Sequence, residues 1–170
     1  ERQRALLESE ERLRTLIDAS PALISYIDRN ERYLLVNQTY ERWFGKTRES
    51  ILGTRMEDLI GPEAYGRAKA PFQRALRGEA VTFENFALGL DGRHVQAHFG
   101  PDRGKDGVRS GFVLSSDITS RVEEELRRQN ETLRAMSAKL RADIKKKKKL
   151  YLEKEAEGHT LIDDDQSQFQ

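Results

Sequence analysis

Two of the three histidines, His94 and His98, have the spacing most suggestive of chemistry in this chain. On a helix, His-x-x-x-His puts both rings on one face, where they can hold a metal ion. These two lie in an alternating segment, 93–101, that predicts a β-strand, where four residues separate the rings by about 13 Å. We therefore expect no shared metal site. His98 alone remains a candidate for lining a ligand cavity, and Val95, Ala97 and Phe99 should form the opposite face.

Enzymatic chemistry is not expected in residues 20–119. The segment has no Gly-rich phosphate loop at a strand-to-helix junction and no Ser/His/Asp arrangement that strand geometry supports. Its acidic residues fall mainly on predicted solvated helix faces. The chain has no cysteine, which excludes disulfides, thiolate metal sites and a cysteinyl flavin adduct.

A group of aromatic and large apolar residues could form either a plain core or the lining of a small-molecule cavity. Asn37 follows a predicted strand, so it could cap the next helix or contact a ligand. The candidate cavity-lining residues are Tyr26, Asn37, Tyr40, Trp43, Phe44, Met56, Phe72, Leu76, Phe83 and His98.

The elements that must position these residues run in the order two strands, several short helices, three strands. Segments 22–29 and 32–37 predict strands, and Asp91-Gly92 is a strong hairpin signal between two later strands. A loop is expected over 102–107, before the last strand. The predicted helical segments are 38–44 (ended by Gly45), 47–53, 56–60, 63–69 and 71–77, the last two separated or kinked at Pro71. This order predicts an α+β domain with a five-stranded antiparallel sheet and short helices on one face.

Charged amphipathic helices are predicted at both ends of this domain. Residues 1–19 form the first, ended by Ser20-Pro21, and 120–144 form the second. Their apolar residues fit heptad positions, so we expect a parallel homodimer, although helices packed on their own domain or left solvated are the alternatives. The predicted dimer residues are Leu6, Leu13, Leu16, Val122, Leu126, Leu133, Met136 and Leu140.

Charge and composition narrow the class of protein. The charged content of 35% suits a normal core flanked by polar helices, and residues 145–170 predict a flexible charged tail. A net charge of +1 argues against a specific nucleic-acid partner. No apolar run approaches the roughly 20 residues of a membrane span. The chain begins with Glu1 rather than Met, so we expect a cytoplasmic module of a longer protein.

The junction between the last strand and the last helix is unusually short. The apolar run Gly111-Phe112-Val113-Leu114 leads through Asp117-Ile118-Thr119 into the charged helix with almost no linker. Thr119 is a suitable N-cap residue. Asp117, Ile118 and Thr119 are therefore predicted to relay a change in the core to that helix.

Taken together, these segments resemble a PAS domain over roughly residues 10–121. The resemblance rests on the element order, Tyr33-Leu34-Leu35-Val36-Asn37, Tyr40-Glu41-Arg42-Trp43-Phe44-Gly45 and the Asp117-Ile118-Thr119 ending. It is closest to sensor modules ahead of bacterial histidine kinases and diguanylate cyclases. It implies a cavity between the sheet and the helices, and flanking helices that dimerise and signal. Asn30-Glu31 departs from the Asp-Gly usual in the first turn.

The cofactor is not identified by this resemblance. Haem-binding PAS domains take a proximal His from the helix before the third strand, and residues 62–77 contain no His, so haem is not expected. Three functions remain open. The first is a ligand- or partner-sensing dimerisation module of a two-component-type system, relaying to a C-terminal output domain. The second is a ligand-free scaffold, and the third is the front end of a histidine kinase or diguanylate cyclase.

Overall fold

The computed structural model describes residues 1–89 and 91–167, which form five helices and five strands. The helices are α1 (Arg2–Ala19), α2 (Gln38–Phe44), α3 (Arg48–Ile51), α4 (Met56–Leu76) and α5 (Thr119–Ser167). The strands are β1 (Leu23–Asp28), β2 (Tyr33–Val36), β3 (Val81–Leu88), β4 (Arg93–Gly104) and β5 (Gly107–Asp117). The chain divides into two compact units, one ending at Val122 and one beginning at Glu123.

The five strands form one sheet in the order β2-β1-β5-β4-β3, and every neighbouring pair is antiparallel. The last strand, β5, therefore lies in the middle of the sheet, between β1 and β4. The predicted α+β class and the five-stranded antiparallel sheet are confirmed. Because β5 leads directly into α5, the centre of the sheet is connected to the C-terminal helix by one residue, Ile118.

One face of the sheet forms the core and is covered by helices. In β1, Leu23, Ser25 and Ile27 are buried while the residues between them are partly exposed. In β4, the predicted alternation is confirmed, because Val95, Ala97 and Phe99 are almost fully buried. From the helices, Tyr40, Trp43 and Phe44 of α2 and Ala64, Ala68, Phe72 and Ala75 of α4 complete this core.

The helix α4 bends at Gly61, where the sequence predicts that the chain restarts, and continues through Pro71, where the sequence predicts a separation or kink. Gly61 has φ 82° and ψ 165°, a conformation available essentially only to glycine, and Pro62 starts the second half. The expected break at Pro71 is wrong, because the backbone there is helical. Burial of Phe72 and Ala75 on the same helix face as Ala68 offsets the hydrogen bond that Pro71 cannot donate.

Two other predicted boundaries are also corrected. The expected loop over 102–107 shrinks to two residues, because Asp102 pairs across the hairpin with Arg109 at 2.7 Å and with Ser110 at 2.9 Å. The last helix does not end at residue 144, since α5 runs to Ser167. Lysine and glutamate favour helix, and Lys149 and Glu153 form an i,i+4 pair at 3.8 Å. Among the described residues, no helix combines the length and apolarity that a membrane crossing requires.

The close approach of β5 to α4 gives a test of this packing. A Cβ at Gly111 would lie 2.6 Å from the ring of Phe72, which is fully buried. Gly111→Ala should therefore lower the free energy of unfolding by about 1–3 kcal/mol, measured by urea denaturation. Gly66→Ala is the control, because a Cβ there meets nothing within 4 Å. In a helix that change should stabilise by about 0.5–1 kcal/mol. Equal effects of the two substitutions would contradict the packing described.

Candidate functional site

A small cavity lies in the core between the first hairpin, α2, α4 and the central strands. Its volume is about 20 Å³, close to the space that one buried water occupies. Any larger guest therefore requires the walls to move. The lining residues are Ile27, Tyr33, Tyr40, Met56, Ile60, Ala68, Leu88, Phe99, Val113 and Ser115.

The cavity has an apolar lining with a few buried hydroxyl groups. The Tyr40 hydroxyl donates to Ser25 Oγ at 2.9 Å, and the rings of Tyr40 and Tyr33 make an edge contact with their centroids 5.7 Å apart. Burial raises the pKa of Tyr40 to about 12, and burial beside Tyr40 raises the pKa of Tyr33 well above its usual range. Both rings are therefore neutral at physiological pH. The site offers hydrogen bonds and apolar contact, without a charge to recognise an ionic ligand.

Tyr40 and Met56 are the predicted lining residues that lie in the wall of this cavity. Trp43, Phe44 and Phe72 are buried in the surrounding core, where the ring of Phe44 stacks on Tyr40 at 5.7 Å. Leu76 and Phe83 are partly buried and pack against the same cluster. The assignment of these residues to ligand contact remains a prediction.

Tyr26 and His98 lie on the other face of the sheet, away from the cavity. Tyr26 alternates with the buried residues of β1, and its ring makes an edge contact with Phe112 at 6.4 Å. His98 Nδ1 lies 2.9 Å from the hydroxyl of Thr82, and its ring also contacts Phe112. Because side chains alternate between the two faces of a strand, Tyr26 and His98 both lie on this outer face. The prediction of Tyr26 as a lining residue did not take this alternation into account.

Asn37 is fully buried and joins three segments of backbone. Its amide nitrogen donates to the carbonyls of Ile17 at 2.6 Å and Ala22 at 2.9 Å, and its side-chain oxygen accepts from the amide of Ile24 at 3.0 Å. It precedes α2 as predicted, but its side chain makes no capping bond to that helix. Because both amide hydrogens are used inside the protein, Asn37 has no donor left for a ligand.

The predicted relay residues form a compact set of hydrogen bonds at the exit of the sheet. Asp117 Oδ1 accepts from the backbone N–H of Thr119 at 2.9 Å and from its hydroxyl at 2.6 Å. The Thr119 hydroxyl accepts from the amide of His94 at 3.0 Å, and the Ile118 amide donates to the His94 carbonyl at 2.8 Å. Asp117, rather than Thr119, therefore binds the first N–H of α5. The hydrogen bond from Thr119 holds the pKa of Asp117 below its ordinary value.

Arg93 connects this exit to the helical side of the core. Its guanidinium lies 3.5 Å from Asp117 Oδ2 and stacks over the ring of Trp43, with 4.8 Å to the centroid. Trp43 is on α2, one turn from the cavity residue Tyr40. Arg93 was not predicted from the sequence, because no local pattern links it to Asp117, which lies 24 residues further along the chain. The position of Arg93 directly after the predicted Asp91-Gly92 turn was the available signal.

Seven of the eight predicted dimer residues are exposed on the helix surfaces that the structure describes. In α1, Leu6, Leu13 and Leu16 are exposed, and no residue of that helix is buried. In α5, Leu126, Leu133, Met136 and Leu140 are each more than half exposed. Val122 is partly buried in the first compact unit. The described residues contain no cluster of three or more metal-ligating side chains.

Comparison with known proteins gives a family match. A sequence profile described as PAS fold matches residues 17–123. The virulence sensor protein BvgS of Bordetella pertussis is 32% identical over 131 residues, which are 71% of this chain and 10% of BvgS. BvgS of Bordetella bronchiseptica has the same identity and coverage. The chain thus spans about a tenth of the length of these relatives.

Solved structures agree with this match. The PAS domain of Bordetella pertussis BvgS is 27% identical, with a TM-score of 0.52, covering 74% of this chain and 98% of that domain. A domain of an HTR-like protein from Haloarcula marismortui is 25% identical, with a TM-score of 0.51, covering 59% of this chain and all of that one. A PAS domain from Colwellia psychrerythraea, 18% identical with a TM-score of 0.56, shares the fold.

Proposed function

The chain belongs to the PAS fold family, and on that premise we propose that residues 20–119 are a cytoplasmic sensory module that relays a change in its core through α5. The expected stimulus is a small ligand or a contacting partner. The receiver is an output domain that follows in the parent protein. A sensor of the histidine kinase or diguanylate cyclase type is the parent we infer, supported by the 32% identity to a virulence sensor protein. The module has no catalytic role of its own.

The observation that carries this proposal is a continuous set of contacts from the cavity to the start of α5. Tyr40 lines the cavity, and Trp43 lies one turn further along the same helix. Trp43 stacks on Arg93, and Arg93 pairs with Asp117. A guest that displaces Tyr40 would shift α2, and the stacked and paired groups would pass that shift to α5. This is a physical path whose energetic coupling has to be measured.

The cavity chemistry favours a small neutral ligand over a charged one. Its walls are apolar, and its polar groups are hydroxyls from Tyr33, Tyr40 and Ser115. An ionic ligand would lose its hydration there without gaining an opposite charge. The small volume supports the alternative function, a scaffold whose interior is filled by its own side chains.

Native mass spectrometry of freshly purified protein, with an absorption scan, separates these two functions. Sensing predicts a bound mass that is released on denaturation. Ala68→Leu should abolish that mass, because the larger side chain fills the cavity that Ala68 lines. Ala138→Leu, on the exposed surface of α5, is the matched control and should leave it unchanged. A protein that is empty in every preparation would contradict sensing of a retained ligand and favour the scaffold.

We also propose that the chain forms a parallel homodimer through α5. The exposed residues Leu126, Leu133, Met136 and Leu140 recur at heptad spacing, with Gln129 at the missing position. A second copy in register would bury this stripe against the same stripe. Parallel pairing would also bring the two Thr119 exits to the same end of the dimer, so that both modules act on one output.

Leu133→Lys tests the dimer, because it puts like charges opposite each other at the middle of the proposed stripe. We expect a dimer for the unmodified chain and a monomer for the variant, by size-exclusion chromatography with light scattering at tens of micromolar. Ala138→Lys adds the same charge on the opposite side of the helix and should leave the dimer intact. A monomeric unmodified chain would contradict this part of the proposal.

A further inference from the structure

A second cluster of polar side chains lies beside the cavity residue Met56 and is separate from the relay. The Tyr65 hydroxyl donates to Glu31 Oε2 at 2.6 Å, and Arg55 Nη2 lies 3.3 Å from the same oxygen. The backbone carbonyl of Glu31 accepts from the amide of Met56 at 2.7 Å. We call Glu31, Arg55 and Tyr65 the Glu31 latch.

The latch joins the first hairpin to both halves of the bent helix α4. Glu31 belongs to the turn between β1 and β2, Arg55 directly precedes α4, and Tyr65 lies in the half beyond Gly61. The Glu31 side chain is only 12% exposed. Its backbone has φ 63°, which a residue with a Cβ adopts at some cost and keeps only where its surroundings hold it. Tyr65 and Met56 supply those surroundings.

The segment between these attachments has a hinge at its far end. Residues 56–60 form a short helical turn, and Gly61 then leaves helical geometry at φ 82°. A Cβ at Gly61 would meet nothing within 4 Å, so there is open space on that side of the bend. The start of the 56–60 segment is therefore attached to the hairpin, through Glu31 and the backbone bridge between Arg32 and Arg55, and its end is joined to the rest of α4 through a single glycine.

This segment is also one wall of the cavity. Met56 and Ile60 line the cavity from α4, while Ile27 and Tyr33 line it from the hairpin. The latch spans these two walls. Because the cavity holds about 20 Å³, a guest larger than water enters only if a wall moves. The strands β1, β4 and β5 are each paired on both sides, whereas 56–60 belongs to no strand and is held at its start, at its hinge and by its own packing.

We propose that residues 56–60 are a lid over the cavity, hinged at Gly61 and held shut by the Glu31 latch. The purpose of this lid, which is to admit a ligand, rests on the proposed sensing function. Opening requires the bond from the Met56 amide to the Glu31 carbonyl to break while the sheet stays intact, and the Tyr65–Glu31 bond opposes this by holding Glu31 in place. The latch would thus set how often the cavity is accessible, independently of the relay at Asp117.

Amide hydrogen exchange of the full chain without ligand tests the lid directly. Tyr65→Phe removes the donor and keeps the ring, so exchange at Leu59 and Ile60 should accelerate about tenfold. Exchange at Val95 to Phe99 in β4 should not change. Glu31→Gln keeps a carbonyl acceptor for Tyr65 and should give a smaller acceleration. Arg74→Gln is the control, because it breaks an exposed ion pair between α4 and Glu79, which lies beyond the end of that helix, and should leave the lid unchanged.

Two results would overturn the lid. Unchanged exchange at Leu59 and Ile60 in Tyr65→Phe would show that the latch holds nothing shut. The same acceleration in β4 would show that Tyr65 supports the whole domain rather than a local opening. The tests of the lid and of ligand sensing can fail separately. Faster exchange at residues 59 and 60 in Tyr65→Phe, with no bound mass in the unmodified protein, would contradict sensing and support the lid. A bound mass with unchanged exchange at these residues would support sensing and contradict the lid.

Discussion

The fold depends on one buried amide side chain, that of Asn37. It binds the carbonyls of Ile17 and Ala22 and the amide of Ile24, and its own backbone N–H donates to the Ile24 carbonyl at 3.0 Å. These bonds tie the end of α1 to the start of β1 and to the junction of β2 with α2. Each buried backbone group left without its partner would cost about 1–3 kcal/mol. An apolar residue at this position would leave the Ala22 carbonyl and the Ile24 amide without this partner, while the Ile17 carbonyl keeps its bond from the Ser20 amide at 3.3 Å, so the entrance of the domain requires an amide.

The exit of the domain is built on the same principle. Asp117 and Thr119 satisfy the backbone groups of His94 and of the first turn of α5, in place of a flexible linker. The entrance and the exit both lie on strands next to each other in the sheet, β1 and β5. Both strands line the cavity, β1 with Ile27 and β5 with Val113, and its walls are apolar with neutral hydroxyls. The proposed relay therefore runs through helices, since paired strands resist displacement.

Much of this architecture could be predicted from local sequence. The alternation in β4, the Asp91-Gly92 hairpin and the helix ended by Gly45, which has φ 63°, each depend on neighbouring residues alone. The helical backbone at Pro71 could not, because packing of Phe72 against the sheet outweighs one lost hydrogen bond.

The candidate site was harder to predict, because it depends on packing between segments that are distant in the sequence. Tyr40 and Met56 were found as large residues, but Ala68 and Ser115 line the cavity because they are small, and a small residue has no distinctive pattern. The pairing of Arg93 with Asp117 and of Glu31 with Tyr65 joins residues 24 and 34 positions apart. Such contacts depend on strand order and helix bending, which only the assembled fold defines.

The central claim is that a change at the cavity reaches α5 through Asp117. Amide chemical shifts measured by NMR test it most directly, with Ala68→Val as a local change in the cavity wall. The account predicts shifts at Thr119 to Val122 that are lost when Asp117→Ala is added and kept when Asp106→Ala, at the exposed tip of the β4–β5 hairpin, is added instead. Shifts confined to the cavity walls, or shifts at Thr119 to Val122 that persist without the Asp117 carboxylate, would contradict it.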